Sequence, residues 1–233
     1  MNFRWEEDLR SSFRLHTSPS DWWPRSARTW NAEICESTCS DGRADLVWGA
    51  LGEVTEQVIS RETTELLQRP ICSRILSLLK PVSERTFTYL HSKTGLTHGT
   101  VRSALGDLSA AGLVVERDTD RFVLGDQAEL PQAFVCAFEF KLKNWRRAVF
   151  QATRYRTFSH RVFVVMPLDS IGPALKNLET FTALNIGLIG HDPDGVSTVL
   201  SLPKRQRPRS RHHYIRAIGM LLPVVASDAN QTA

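Results

Sequence analysis

The apolar run from Ala133 to Phe140 restricts the fold more than any other feature of the sequence. An apolar run of this length predicts a buried strand. A helical pattern follows from about Asn144 to Phe158, then a second apolar run from Arg161 to Met166 and a second helical pattern from about Ser170 to Ala183. This order of strand, helix, strand and helix predicts a mixed or parallel sheet with helices on its faces.

The rest of the chain contains further predicted elements. The segment from Phe3 to Leu15 predicts an amphipathic helix, because its acidic residues lie in the first turns, near the positive helix end. Next, a hairpin is predicted from two strands, Thr29–Ser37 and Arg43–Ala50, around the turn Ser40-Asp41-Gly42. A helix that stops at Pro70 follows, with its apolar positions at Val54, Val58, Ile59, Leu66 and Leu67. Two short strands are predicted near the end of the chain, at Asn185–Gly190 and Val196–Leu202. The small, polar segment from Ala226 is expected to fray.

A separate block from Pro70 to about Asp126 predicts three helices followed by two strands. Apolar residues at helical spacing begin at Ile71, a second short helix follows, and Gly95 suits the sharp turn into a third. The third helix buries residues at spacings of i, i+3, i+4 and i+7, namely Val101, Ala104, Leu105 and Leu108. The predicted strands, Val114–Arg117 and Arg121–Leu124, enclose an acidic turn.

This block resembles the winged helix-turn-helix family, including the Ser-Ala-Ala-Gly-Leu-Val exit from the third helix at Ser109–Val114. In that family the third helix enters the major groove of DNA, and the strand pair, or wing, contacts the backbone or the minor groove. The resemblance implies that the DNA-binding residues are His98, Thr100, Arg102 and Ser103 on the third helix, with Arg117 and Arg121 on the wing.

A purely structural role for this block stays open. Winged helices also serve as dimerisation or protein-docking units, so a homodimer is one alternative. The excess of basic over acidic residues in the block is small.

Charge is distributed unevenly along the chain, although its net value is only +4. From Phe140 to Arg161 there are seven basic residues and no acidic one, and six more basic residues lie between Lys204 and Arg216. Such clusters suit a surface that follows a phosphate backbone. We expect Lys143, Arg146, Arg147 and Arg154 to neutralise phosphates of bound DNA.

Composition and the remaining patterns exclude other classes of protein. The N-terminal sequence has no apolar leader, and the late apolar stretch Ile218–Val225 is too short and too broken by Gly and Pro to span a bilayer. We therefore expect a cytoplasmic protein without a membrane partner. The cysteines lack CxxC spacing and a neighbouring His pair, so we expect free thiols and no zinc site at Cys35, Cys39, Cys72 and Cys136.

Charged residues at the end of the first apolar run suggest a catalytic site. Alternation along a strand sends Glu139 and Lys141 to one face and Phe140 to the other. A carboxylate is a hard ligand for Mg²⁺, and a neighbouring ammonium can hold a water and balance charge on a phosphate that reacts. Asp45 supplies a second carboxylate. On the helix that follows, Gln151 and Tyr155 are spaced i, i+4 and project from one face.

This set, Asp45 with Glu139-x-Lys141 and Gln151-x-x-x-Tyr155, resembles the PD-(D/E)xK nuclease superfamily, in particular its RecB-like and lambda-exonuclease-like branches. The resemblance implies a restriction-endonuclease-like α/β fold and a Mg²⁺ or Mn²⁺ site formed by Asp45 and Glu139. In that family an acidic residue on the first helix often joins the metal site, for which Glu7 is the candidate and Glu6 its competitor. Ala44 stands where the family usually has Pro.

The two resemblances predict one organisation for the chain. The nuclease-like domain occupies residues 1–69 and 127–216, a winged-helix domain is inserted at residues 70–126, and residues 217–233 form a C-terminal segment. The predicted function is metal-dependent hydrolysis of DNA that the winged helix positions. A DNA-binding regulator that uses the nuclease fold as a scaffold, and a protein-interaction adaptor, remain alternatives. The form of the substrate and the pathway are not determined by the sequence.

Overall fold

A computed structural model of the chain describes residues 3–17, 32–39, 42–52 and 60–231. The first residues of the predicted hairpin, most of its turn and the helical positions Val54, Val58 and Ile59 lie outside these ranges. None of the helices in the described ranges is long and apolar enough to cross a membrane.

The described elements follow the order expected from the sequence over most of the chain. They are α1 Glu6–His16, β1 Ala32–Cys39, β2 Gly42–Leu51, α2 Arg61–Gln68, α3 Pro70–Leu78, β3 Arg85–Thr86, α4 Phe87–Thr94, α5 His98–Ala110, β4 Val114–Asp118, β5 Arg121–Leu124, β6 Ala133–Phe140, α6 Trp145–Tyr155, β7 Arg161–Pro167, α7 Gly172–Leu175, α8 Leu178–Leu184, β8 Gly187–His191, β9 Ser197–Ser201 and α9 Arg211–Gln231.

Two compact units divide the chain. Unit 1 comprises Met1–Ala50 and Phe134–Arg209, and unit 2 comprises Leu51–Ala133 and Ser210–Ala233. The boundaries differ from the predicted ones, because the segment before Pro70 and the C-terminal segment both belong to unit 2.

Within the described part of unit 1, six strands form one mixed sheet in the order β1-β2-β6-β7-β8-β9. The inner pairs β6/β7 and β7/β8 are parallel, whereas the outer pairs β1/β2 and β8/β9 are antiparallel. Helices connect the parallel strands, as a parallel pair requires a long crossover. The general class predicted from the sequence, a mixed α/β fold, is confirmed.

Helix α1 packs its apolar side on one face of this sheet. Its Leu9 and Phe13 are fully buried in a cluster with alternate residues of the central strands, namely Leu46, Trp48, Cys136, Phe138, Phe140, Phe163, Val165 and Ile189. Burial of a large apolar side chain contributes roughly 1.5–3 kcal/mol. The cluster therefore holds the start of the chain against strands that lie far from it in sequence.

The predicted helix from Ser170 to Ala183 is divided into α7 and α8. The side chain of Asn177 donates a 2.8 Å hydrogen bond to the carbonyl of Pro173, and this bond to the backbone competes with helix continuation.

Unit 2 combines helices with a three-stranded sheet in the order β3-β5-β4. Helix α5 buries Val101, Ala104, Leu105 and Leu108, the four positions predicted from its spacing. Gly95 ends α4 in the left-handed conformation (φ 66°), which Gly adopts at little cost.

Helix α9 is the main feature of unit 2 that the sequence analysis missed. The helix runs through the segment that we expected to stand apart and to fray. It buries Ile215, Ile218, Leu221 and Leu222, which recur at helical spacing, and it packs against α2 and α3. Pro223 lies within it. Tertiary packing thus compensates for the Gly and Pro that weaken the local helical signal.

We predict that Gly219→Ala destabilises unit 2 by about 1–3 kcal/mol, because a Cβ on this residue would lie 2.6 Å from the Cβ of Leu67 on α2. The matched control is Gly106→Ala on α5, where an added Cβ meets no atom within 4 Å and should stabilise the helix by roughly 0.5–1 kcal/mol. Urea denaturation measures both. Equal stabilisation by the two substitutions would contradict the close packing of α9 on α2.

Candidate active site and nucleic-acid surface

The end of β6 separates charged from apolar side chains as strand alternation predicts. Phe138 and Phe140 belong to the apolar cluster under α1. Glu139 projects to the other face, where it is fully buried (0% exposed). A buried carboxylate needs polar partners, because its transfer out of water is costly.

Lys141 provides one of these partners. The strand ends at Phe140, but the backbone N–H of Lys141 still donates to the carbonyl of Val165, at 3.1 Å. Its Nζ lies 3.0 Å from Oε1 of Glu139 and 2.9 Å from Oε2 of Glu6. Lys141 therefore links β6 to the first turn of α1.

Asp45 joins this group from the neighbouring strand β2. Its Oδ2 accepts a 2.8 Å hydrogen bond from the backbone N–H of Phe140, the residue between Glu139 and Lys141. Leu46 and Trp48 lie in the apolar cluster, so alternation directs Asp45 to the opposite face. Asp45 and Glu139, distant in sequence, thus lie side by side.

Helix α6 contributes Tyr155 to the same site. The Tyr155 hydroxyl contacts Oε2 of Glu139 and lies 2.8 Å from the carbonyl oxygen of Arg43. Gln151, one turn earlier, has a buried Oε1 that meets no hydrogen-bond donor among the described residues. Because Tyr155 contacts Glu139 rather than the apolar cluster, α6 covers the face of the sheet opposite α1.

The pKa values of Glu139, Asp45 and Lys141 reflect two desolvated carboxyls beside one cation. Burial, and then the negative charge of Asp45, raise the pKa of Glu139 to about 7, while its contacts with Tyr155 and Lys141 act in the opposite direction. Burial also raises the pKa of Asp45, against the effect of its hydrogen bond from Phe140. Burial acts to lower the pKa of Lys141, but Glu6 and Glu139 outweigh it, so the pKa is raised and the ammonium persists at neutral pH.

Glu6, and not Glu7, is the acidic residue of α1 in contact with Lys141. The negative charge of Glu6 also acts on Asp45. Glu7 instead pairs with Arg10 on the next turn of α1. The two positions differ by about 100° around a helix, and the burial of Leu9 and Phe13 determines which one faces the site.

Arg10, Glu36 and Arg43 are neighbours of the site that the sequence analysis did not single out. Arg10 is almost fully buried and donates to the carbonyl of Asp45, at 3.3 Å. Glu36 adopts a positive φ of 55° within β1, and its carboxylate lies 3.3 Å from Arg10 and 3.0 Å from Arg43. The spacing of Glu7 and Arg10 on a predicted helix was the one available signal.

The described residues contain no group of three or more His, Cys, Asp or Glu side chains that could hold a metal ion. Asp45 and Glu139 are close enough for the charge of one to act on the other, and the charge of Glu6 also acts on Asp45. Mg²⁺ is commonly bound by one or two carboxylates together with substrate phosphates and waters, so a pair meets the minimum.

The residues predicted to bind DNA on α5 are exposed. Thr97 caps this helix by accepting from the backbone N–H of Thr100, at 3.3 Å. The guanidinium of Arg102 lies 2.7 Å from Asp120 and 4.1 Å from the centre of the Phe87 ring. His98 packs on the same ring, at 4.3 Å between centroids, and Ser103 is exposed. Arg102 and His98 thus have partners within unit 2.

The remaining predicted DNA-binding residues lie on two surfaces. Arg117 and Arg121 are exposed in unit 2, and Arg121 lies 3.4 Å from Glu84. Lys143, Arg146, Arg147 and Arg154 are exposed on α6 of unit 1 or just before it. Arg146, Arg147 and Arg154 are part of the helix that carries Gln151 and Tyr155, and Lys143 precedes it.

Compared with known proteins, the chain matches no family model, no curated protein and no solved structure.

We predict that Glu139→Gln removes a pH dependence of stability. The folded protein retains the Glu139 proton up to about pH 7, whereas the unfolded chain releases it near the ordinary value of 4.5. Stability from this group is therefore present at low pH and lost as pH rises through 7. Relative to the wild type, the variant should gain about 2 kcal/mol between pH 5 and pH 8.

Urea denaturation at the two pH values measures this change. Glu6→Gln is the matched control, because Glu6 binds the same Lys141 but is half-exposed. Its stability relative to the wild type should be similar at both pH values. If the unfolding free energies of Glu139→Gln and the wild type changed equally between pH 5 and pH 8, the burial of the Glu139 carboxyl would be contradicted.

Proposed function

We propose that this chain is a Mg²⁺- or Mn²⁺-dependent nuclease of the PD-(D/E)xK type, which hydrolyses phosphodiester bonds of DNA. One observation carries the proposal: Asp45, Glu139, Lys141 and Tyr155 converge at the end of β6. Motif spacing alone does not require this convergence, because β2 and β6 are separated by most of unit 2. The geometry therefore supports the resemblance independently of the motif.

Asp45 and Glu139 are the residues that would hold the metal ion, with phosphate oxygens and waters as its other ligands. The donor set fits a divalent cation, because the charge of Asp45 opposes ionisation of Glu139 and a bound cation would relieve that repulsion. Glu6 is near enough to Asp45 for its charge to act there, so it can join the set. When bound, the ion would polarise the phosphate and lower the pKa of a bound water.

The other residues of the site have distinct roles in this proposal. Lys141 keeps a positive charge beside the reacting phosphate and balances the charge that develops there. Tyr155 orients the carboxyl of Glu139 through its hydroxyl. Gln151 offers a buried acceptor, Oε1, to a water or to the substrate.

We propose further that the segment from α3 to β5 is a winged-helix module that binds duplex DNA. Support comes from the order of three helices and a strand pair, with the exposed side of α5 in the place of the recognition helix. The ion pair of Arg102 and Asp120 is exposed, and an exposed ion pair contributes only about 0–1 kcal/mol to the stability of the folded protein. A phosphate can therefore replace Asp120 at little cost.

A second candidate is a DNA-binding regulator that retains the fold without hydrolysis. Two observations favour it: Glu139 is fully buried among protein partners, and the described residues contain no cluster of three metal ligands. In this case DNA binding would need no metal ion.

Replacement of Glu139 by Ala should abolish Mn²⁺-dependent cleavage of DNA and leave binding at least as tight. The substitution removes a metal ligand, but Glu139 is fully buried and is not among the exposed residues that would contact the DNA backbone. Cleavage of labelled linear and single-stranded DNA, with and without Mn²⁺, tests the nuclease proposal directly. Glu179→Ala, a change to an exposed carboxylate on α8, is the control and should retain full activity.

Metal-dependent cleavage that survives Glu139→Ala would refute the proposed site. Binding without cleavage by the wild type, under all metal conditions, would favour the regulator.

Arg102→Ala should weaken binding to duplex DNA and flatten its dependence on salt. Loss of one phosphate contact reduces the slope of log K against log salt by about 0.9. Fluorescence anisotropy across a salt series measures this slope. Arg61→Ala is the control, since Arg61 is exposed in the same unit and pairs with Glu65 within its own helix. If Arg102→Ala matches this control throughout, the segment from α3 to β5 has a structural role.

A further inference from the structure

Phe150 is an exposed aromatic residue in the middle of α6. Its side chain is 61% exposed, whereas the opposite side of the helix buries Ala148, Val149, Ala152 and Tyr155. The core of unit 1 therefore does not require an aromatic ring at this position.

Two arginines lie on the same side of α6 as Phe150. Arg147, Phe150 and Arg154 are spaced i, i+3 and i+7, which places them in one stripe along the helix. We call these three residues the α6 stripe. The guanidinium of Arg154 lies 4.8 Å from the centre of the Phe150 ring, within the range of a cation–π contact.

The α6 stripe runs along the solvent side of the helix that carries Gln151 and Tyr155. Gln151 is next to Phe150 and four residues after Arg147, so it lies at the edge of the stripe. Nη1 of Arg154 lies 3.7 Å from the point that a Cβ on Gly42 would occupy, and Gly42 begins the strand that carries Asp45. A ligand on the stripe would thus lie near the start of the strand that carries Asp45, on the side of α6 away from Tyr155.

The charge around the stripe suits a polyanion. The chain from Phe140 to Arg161 contains seven basic residues and no acidic one. Over the part of the chain that the structure describes, Arg147 forms no ion pair, and Arg146 packs on the ring of Trp145 at 4.6 Å. An exposed aromatic ring between cations is the combination with which proteins hold single-stranded nucleic acid.

We propose that the α6 stripe binds single-stranded nucleic acid, with phosphates on Arg147 and Arg154 and an unpaired base stacked on Phe150. The interior of a duplex cannot supply this ligand, because its bases are already stacked on each other. The substrate of the site is then a single strand or the unpaired end of a duplex. Delivery of that strand for hydrolysis rests on the proposed function, but its binding does not.

The two kinds of contact have separable signatures. Stacking of one base on an aromatic ring is worth about tenfold in affinity, and it carries no charge. Phe150→Leu should therefore weaken binding of a single strand about tenfold at every salt concentration and leave the salt slope unchanged. Arg147→Gln should reduce that slope by about 0.7. Phe150→Tyr, which keeps an aromatic ring, should bind like the wild type.

The experiment is fluorescence anisotropy of the full chain in EDTA with a labelled single-stranded 20-mer and with a blunt duplex of the same length. Without metal the strand stays intact, so binding is measured independently of hydrolysis. Trp5→Leu is the matched control: Trp5 is also 61% exposed and has Arg4 over its ring, but it precedes the acidic residues Glu6, Glu7 and Asp8. This control should retain wild-type affinity for the single strand.

Two results would overturn the proposal. The first is equal affinity of wild type and Phe150→Leu for the single strand, which would assign the exposed ring to another ligand such as a protein. The second is an equal loss of affinity in Phe150→Leu and Trp5→Leu. Suppose that Phe150→Leu loses tenfold in affinity for the single strand but the wild type cleaves no DNA in Mn²⁺. This result would support binding by the α6 stripe and refute only the proposed nuclease activity.

Discussion

The burial of one carboxyl group, that of Glu139, constrains which residues surround the end of β6 in unit 1. A carboxyl that is fully removed from water is stable only with polar partners, and here one comes from the end of the same strand and one from α6. Lys141 and Tyr155 contact Glu139 directly, and Asp45 is bound to the backbone N–H that follows it. The apolar cluster under α1 holds the strands of this group, because Leu46 and Phe140 alternate with Asp45 and Glu139.

The raised pKa of Glu139 connects this constraint to chemistry. Burial and the neighbouring Asp45 make ionisation of this carboxyl unfavourable, the Lys141 ammonium offsets them only in part, and the pKa is raised to about 7. Perturbed groups of this kind concentrate at functional sites, although structural ion-pair networks also perturb pKa values. The exposed basic and aromatic residues of α6, on which we propose that a polyanion binds, lie on the other side of the helix, so that one helix carries both Tyr155 and Phe150.

The site shows how far sequence reasoning extends and where it stops. Alternation in the strand predicted that Glu139 and Lys141 would lie on one face, and i, i+4 spacing in the helix predicted that Gln151 and Tyr155 would share a face. Both rules depend on local geometry alone. Whether Glu6 or Glu7 contacts Lys141 could not be predicted in this way, because the rotation of α1 follows from the burial of Leu9 and Phe13 against distant strands.

Sequence by itself determined the mixed α/β class, the order of most elements and the residues that α5 buries, since all of these follow from local periodicity. The tertiary structure decided what local patterns cannot contain: the proximity of Asp45 to Glu139, the partners of Lys141 and the limits of unit 2. Helix α9 is the clearest case. Its Gly219 and Pro223 oppose a helix locally, and only burial against α2 and α3 makes that conformation favourable.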